Sequence, residues 1–140
     1  MNEHGDFYIT FSSNVLYIKV LGPWNLETFE HYNRDFNEQL SASECSSYSV
    51  FATLEGDSLM VPEICEIFKV ATTQRIAKGL KNVAFYLKKS ACPRAFKQQI
   101  SQLYQGSHLN YKFFSDINSA KSWLNENKVI LKDDLITHLL

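Results

Sequence analysis

Cys92 is the residue whose type and setting in this 140-residue chain come nearest to chemistry. It stands directly before Pro93, a good first residue for a helix, with Lys88, Lys89 and Arg94 close by. A helix N-terminus and basic neighbours both favour the thiolate, the form of cysteine that attacks electrophiles. No second Cys or His is placed near it, so the plainer role is that of a small packing side chain. His31, with Glu27 and Asp35 one turn to either side, shares a helical face with two carboxylates. That grouping reads better as the solvated side of an amphipathic helix than as an acid-base or metal cluster. His4, His108 and His138 are isolated. Cys45, Cys65 and Cys92 lack metal-ligand spacing and are odd in number, so neither a zinc site nor a disulfide framework is expected, and no cofactor is implied.

Charge is the second chemical signal. The net value of −1 hides an asymmetry: residues 1–68 hold eleven acidic groups against Lys19 and Arg34, while residues 69–112 hold nine basic groups and no acidic one. If successive units lie side by side in chain order, Lys78, Lys81, Lys88, Lys89, Arg94 and Lys97 form a basic face, able to attract an acidic protein or an anionic ligand. A solvated surface that balances the acidic half is the alternative. Nucleic acid is not expected, because no aromatic platform is interleaved with these charges and the acidic half would repel a long polyanion.

These residues must be carried by alternating strands and helices. Phe7, Ile9 and Phe11 alternate with Tyr8 and Thr10, the period of a strand with unlike faces, and Ser12-Ser13-Asn14 supplies a hairpin turn. Val15 to Leu21 is apolar except at Lys19, as in a strand covered on both sides. Gly22-Pro23 ends it. Asn25 then caps a helix, with Trp24 and Phe29 at staple spacing and Leu26, Phe29, Tyr32, Phe36 and Leu40 on one stripe. Tyr48 to Leu54 reads as a second buried strand, reached by a right-handed parallel crossover. Pro62 opens the next helix, whose inner face is Ile64, Phe68, Ala71 and Ile76, and Gly79 closes it. Val83 to Leu87, a helix from Pro93, Tyr111 to Phe114 and a helix capped by Ser115 or Asp116 complete the alternation. Trp24 and Trp123 read as staple and core residues.

The expected fold is therefore α/β, with a mixed five-stranded sheet whose first strand is antiparallel. At this length, with 45% apolar and 14% aromatic residues, one well-packed domain is expected. No basic start precedes a long apolar run and no stretch is long enough to span a bilayer, so a cytoplasmic protein is expected. Residues 128–140 form an amphipathic tail beyond a domain of residues 1–127. Its Val129, Ile130, Leu131, Leu135, Ile136, Leu139 and Leu140 should dock as a short helix on the same domain or on a second copy, as in a homodimer.

Two stretches together, Gly22-Pro23-Trp24-Asn25 and the run from Phe114 through Asp116 and Ala120 to Trp123 and Leu124, resemble the STAS-like, or SpoIIAA-like, family of small bacterial proteins. The resemblance covers residues 5–126 and implies successive β-α units in a superhelix with helices mainly on one face. Anti-sigma-factor antagonists in the wider family switch through a phosphorylated Ser after the second long strand. In the corresponding loop, Glu55-Gly56-Asp57-Ser58-Leu59-Met60, Ser58 follows an Asp but lacks the Gly that follows the family's serine, and the loop is longer. Ser58 is the possible phosphosite that this resemblance implies, against a role as a turn residue. Other relatives are similar to lipid-carrying domains.

The expected function is a non-enzymatic regulatory or interaction module that binds a protein or anionic ligand. The alternative is a small-ligand or lipid carrier with a pocket between the helices and the sheet. An enzyme would have Cys92 as its nucleophile. The cap assignment makes the first prediction: Asn25→Ala should cost about 1 kcal/mol in a chemical denaturation curve, and an unchanged curve would rule the cap out.

Overall fold

A computed structural model describes residues 6–139; residues 1–5, which include His4, and Leu140 lie outside it. The chain runs β1 (Asp6–Ser12), β2 (Val15–Leu21), α1 (Leu26–Ser43), β3 (Tyr48–Gly56), α2 (Pro62–Ala77), β4 (Leu80–Ser90), α3 (Pro93–Leu103), β5 (Asn110–Phe114), α4 (Ile117–Glu126) and α5 (Asp133–His138). The five strands lie in chain order in one sheet. β1 and β2 pair antiparallel, and the remaining neighbours pair parallel. The mixed α/β sheet expected from the sequence is the fold observed.

Strand order explains where the helices go. Crossovers of one hand that always step toward the same edge place their helices on the same face. Accordingly α1, α2 and α3 pack together over Leu16, Ile18, Val50, Ala52, Val83 and Phe85. The opposite face is also apolar, with Val15, Tyr17, Phe51 and Ala84 buried, and only chain beyond β5 is left to cover it. α4 does so with Ala120 and Leu124, and the tail with Val129, Ile136 and Leu139. Three helices thus lie on one face, while α4 and the tail close the other.

The tail docks on its own domain. The backbone N–H of Lys132 donates to the Tyr17 hydroxyl at 2.9 Å, and the His138 ring lies 4.9 Å from that of Tyr8. Among the described tail residues Ile130 is the apolar one left in water, 81% exposed. The residues expected either to dock here or to pair two copies are therefore mostly committed within the chain.

Local chemistry matches the sequence reading at α1. The Asn25 side chain accepts from the Thr28 N–H at 2.8 Å, and the Trp24 and Phe29 rings meet edge-on at 5.2 Å. β4 extends three residues beyond Val83–Leu87 at each end, because pairing with the long β3 draws Lys81, Asn82, Lys88 and Lys89 into the sheet. Two glycines are set by close approach. A Cβ at Gly22 would lie 1.8 Å from the carbonyl oxygen of Asp57, and one at Gly79, where φ is +111°, would lie 2.1 Å from that of Ser46. α2 ends at Ala77 with Lys78 as its cap, so Gly79 follows the helix and turns the chain into β4.

Because Ile136 is 2% exposed and seals the second face, Ile136→Ala should destabilise the fold by about 2–4 kcal/mol in urea. A loss below about 0.5 kcal/mol would mean that the tail is not bound in solution.

Candidate functional site

The six basic residues expected to form one face are divided between the two ends of the sheet. Lys78 and Lys81 flank the start of β4, while Lys88 and Lys89 lie at its end and Arg94 and Lys97 on the first turns of α3. Seven residue-to-residue steps of extended chain separate Lys81 from Lys88, about 23 Å at about 3.3 Å per step. Lys88 is also tied to Glu55 at 2.9 Å. Its hydrogen bond holds the Glu55 carboxyl below the ordinary value, with burial opposing. Lys97 reaches toward the Phe113 ring, and Lys81 lines an open polar cleft with Asn82 and Lys128. No single patch gathers the set.

Ser58 is 2% exposed, and its hydroxyl has no hydrogen-bond partner among the described residues. The loop that holds it is clamped by Gln99 of α3, whose side-chain amide accepts from the Met60 N–H at 3.0 Å and donates to the Met60 carbonyl at 2.8 Å. A phosphoryl donor cannot reach Ser58 while this loop is seated. Cys92 is exposed at the N-cap of α3, and among the described residues no hydrogen bond to its sulfur orients it. Cys65 is less suited to attack, since burial pushes its thiol up and Glu66 adds to the shift. His31 is exposed on α1. Among the described residues no three His, Cys, Asp or Glu side chains gather where they could hold a metal.

What the fold does assemble is a cavity. Between α1, α2, α3 and the sheet lies a space of about 60 Å³. Ile18, Val20, Val50, Ala52, Val83 and Phe85 form its floor; Trp24, Leu54 and Met60 stand toward the carboxyl ends of the strands; Leu80, Arg75 and Tyr104 stand toward the opposite end. The wall is almost entirely apolar, and Arg75 is the cation in it.

Helical spacing puts Arg75 there. Ile64, Phe68, Thr72 and Arg75 follow one another at four, four and three residues, the stripe of a single helix face, so the inner side of α2 ends in a guanidinium. On α1, Phe29, Tyr32 and Phe36 face it, and on α3, Phe96 and Ile100 lead to Tyr104. Arg75 is 4% exposed. Its Cζ lies 3.7 Å from the centre of the Phe36 ring, and Nη2 donates to Asn33 Oδ1 at 2.8 Å. Among the described residues Nε has no partner and no carboxylate lies within ion-pair distance. Burial pushes the guanidinium below its ordinary value, while the hydroxyls of Tyr32, Tyr48 and Tyr104 pull the other way. Burial also raises all three tyrosines, so they are neutral.

The sequence reading counted Arg75 among the basic residues of the second half but did not place it inside. The signal available was its position three residues after Thr72 and seven after Phe68. Assigning Ile76 to the inner face hid that signal, since Ile76 is only half-buried.

Compared with protein-family models and with curated proteins, the chain matches none.

A charge out of water costs several kcal/mol. The ring contact offsets about 2 kcal/mol and the hydrogen bond to Asn33 about 1.5–3 kcal/mol, which leaves Arg75 near balance or unfavourable. Arg75→Met, which keeps the apolar stem, should therefore leave stability unchanged or raise it in chemical denaturation. A loss above about 2 kcal/mol would make Arg75 a structural clamp between α1 and α2 instead.

Proposed function

We propose that this protein is a non-enzymatic binding module that holds a small ligand with an apolar body between its helices and its sheet. The observation that carries this reading is the cavity of about 60 Å³, walled by apolar side chains from three helices and three strands. Interiors close-pack, and voids larger than a water molecule are few, so room in the middle of the main core supports a binding site there. The geometry favours this pocket over an acidic partner on a basic face, because the six basic side chains are split between opposite ends of the sheet. Membership of the STAS-like group is part of the proposal. It is supported by the hairpin start, the chain-order sheet and the Gly22-Pro23-Trp24-Asn25 turn, whose Gly22 is pressed against Asp57. A cytoplasmic setting belongs to the same reading and is supported by three unpaired cysteines. Among the described residues, no helix is long and apolar enough to cross a membrane.

The test is a methyl-labelled NMR titration with straight-chain alcohols of two to six carbons. Saturable shifts at Ile18, Val50, Leu54 and Ile100 are expected, and Ala52→Phe, which fills the cavity, should abolish them. Absence of saturable shifts for every alcohol would remove the binding-module reading.

A further inference from the structure

Resting on the reading of the cavity as a ligand site, we infer that its ligand is a short-chain monocarboxylate. The carboxyl group docks on Arg75, and the hydrocarbon tail runs along the sheet toward Trp24 and Met60.

Charge selects the head group. The site holds one permanent cation, removed from water and without a carboxylate partner among the described residues. A monoanion neutralises it one for one. A dianionic phosphate would leave a buried negative charge unmatched, and a neutral ligand would leave the cation as it is.

Geometry selects it again. The Phe36 ring supports the guanidinium from one side and Asn33 holds Nη2, so the plane is fixed before any ligand arrives. Among the described residues the Nε–H is left without a partner. A planar fork of donors matches a carboxylate, and a donor buried without an acceptor is a cost that such a ligand removes. Tyr32 and Tyr104 line the same space with neutral phenols that can share the carboxylate oxygens.

The rest of the wall limits the body of the ligand. Apart from Arg75, Thr72, Tyr32 and Tyr104 the lining is Val, Leu, Ile, Ala, Met and aromatic side chains, too few polar partners for an α-amino group together with a carboxylate or for a row of hydroxyls, which disfavours amino acids and sugars. A space of about 60 Å³ takes about four water-sized groups, which is short-chain acid rather than long-chain lipid. The ends of the cavity fix the orientation, with Arg75 beside Leu80 at the amino end of β4 and Trp24, Leu54 and Met60 toward the carboxyl ends of the strands.

The experiment pairs acetate, whose four non-hydrogen atoms match the cavity, with ethanol in the same methyl-labelled titration of the full chain. The acid should bind at least about tenfold more tightly at neutral pH, the advantage of one charge-assisted contact. Because a guanidinium keeps its proton, that advantage should vanish only as the pH is lowered enough to protonate acetate itself. In Arg75→Met the ratio of acid to alcohol affinity should fall to about one, since the cation that separates the two compounds is gone. Arg75→Gln carries the same expectation and keeps an amide beside Asn33 if the methionine variant does not fold. Equal affinity of acid and alcohol in the wild-type chain, or a preference that survives both substitutions, overturns the carboxylate assignment and leaves the cavity as an apolar site. No saturable shift with either compound overturns the assignment together with the reading beneath it.

Discussion

The structure turns on a sheet that is apolar on both faces. From Tyr48 to Leu54 every residue of β3 is buried, and Val15 to Ile18 of β2 likewise. Such strands require two covering layers. Right-handed crossovers that advance strand by strand supply one, since they deliver α1, α2 and α3 to the same side. The second layer has to come from chain beyond β5, which is why α4 is followed by a tail and why that tail packs on Tyr17, Phe51 and Ala84. The link from Tyr17 to Lys132 joins residues 115 positions apart, so the final segment closes a core that the first hairpin began.

The main core is not a uniform hydrocarbon layer. Aromatic rings run across it in contact, from Trp24 through Phe29 and Tyr32 to Phe36, and from Phe85 to Phe96 and Tyr104. Large flat side chains fill area efficiently but tile imperfectly, and the cavity lies among them. A guanidinium in this layer contributes little or nothing to stability, because the cation loses its water without gaining a carboxylate among the described residues. The ring of Phe36 and the amide of Asn33 are what make that charge tolerable.

The surface charges have a separate logic. A chain that is acid-rich in one half and basic in the other need not fold into a dipole with two clean faces, because each β-α unit runs the full height of the sheet. Lys81 and Lys89 belong to one strand and emerge at opposite ends of it. Lys88 meets Glu55 across the β3–β4 pair, so part of the contrast between the halves is cancelled by contact.

The sequence by itself determined the elements and their order. Period-two and period-3.6 patterns, the Asn25 cap, the Trp24 staple, Pro62 and Pro93 at helix starts and the hairpin turn are all encoded within a few residues of where they act, and each is found. The length of β4 was not legible, because its polar ends are strand only through pairing with β3. Nor was the site. Residues 32, 33, 36, 75 and 104 meet only when three helices settle on one face, and from sequence the side chain of Arg75 is one more charge near the end of a helix. Whether that charge faces water or the core depends on a rotation of about one residue in the inner stripe of α2. Packing against α1 and α3 decides it, and with it which chemistry the cavity can hold.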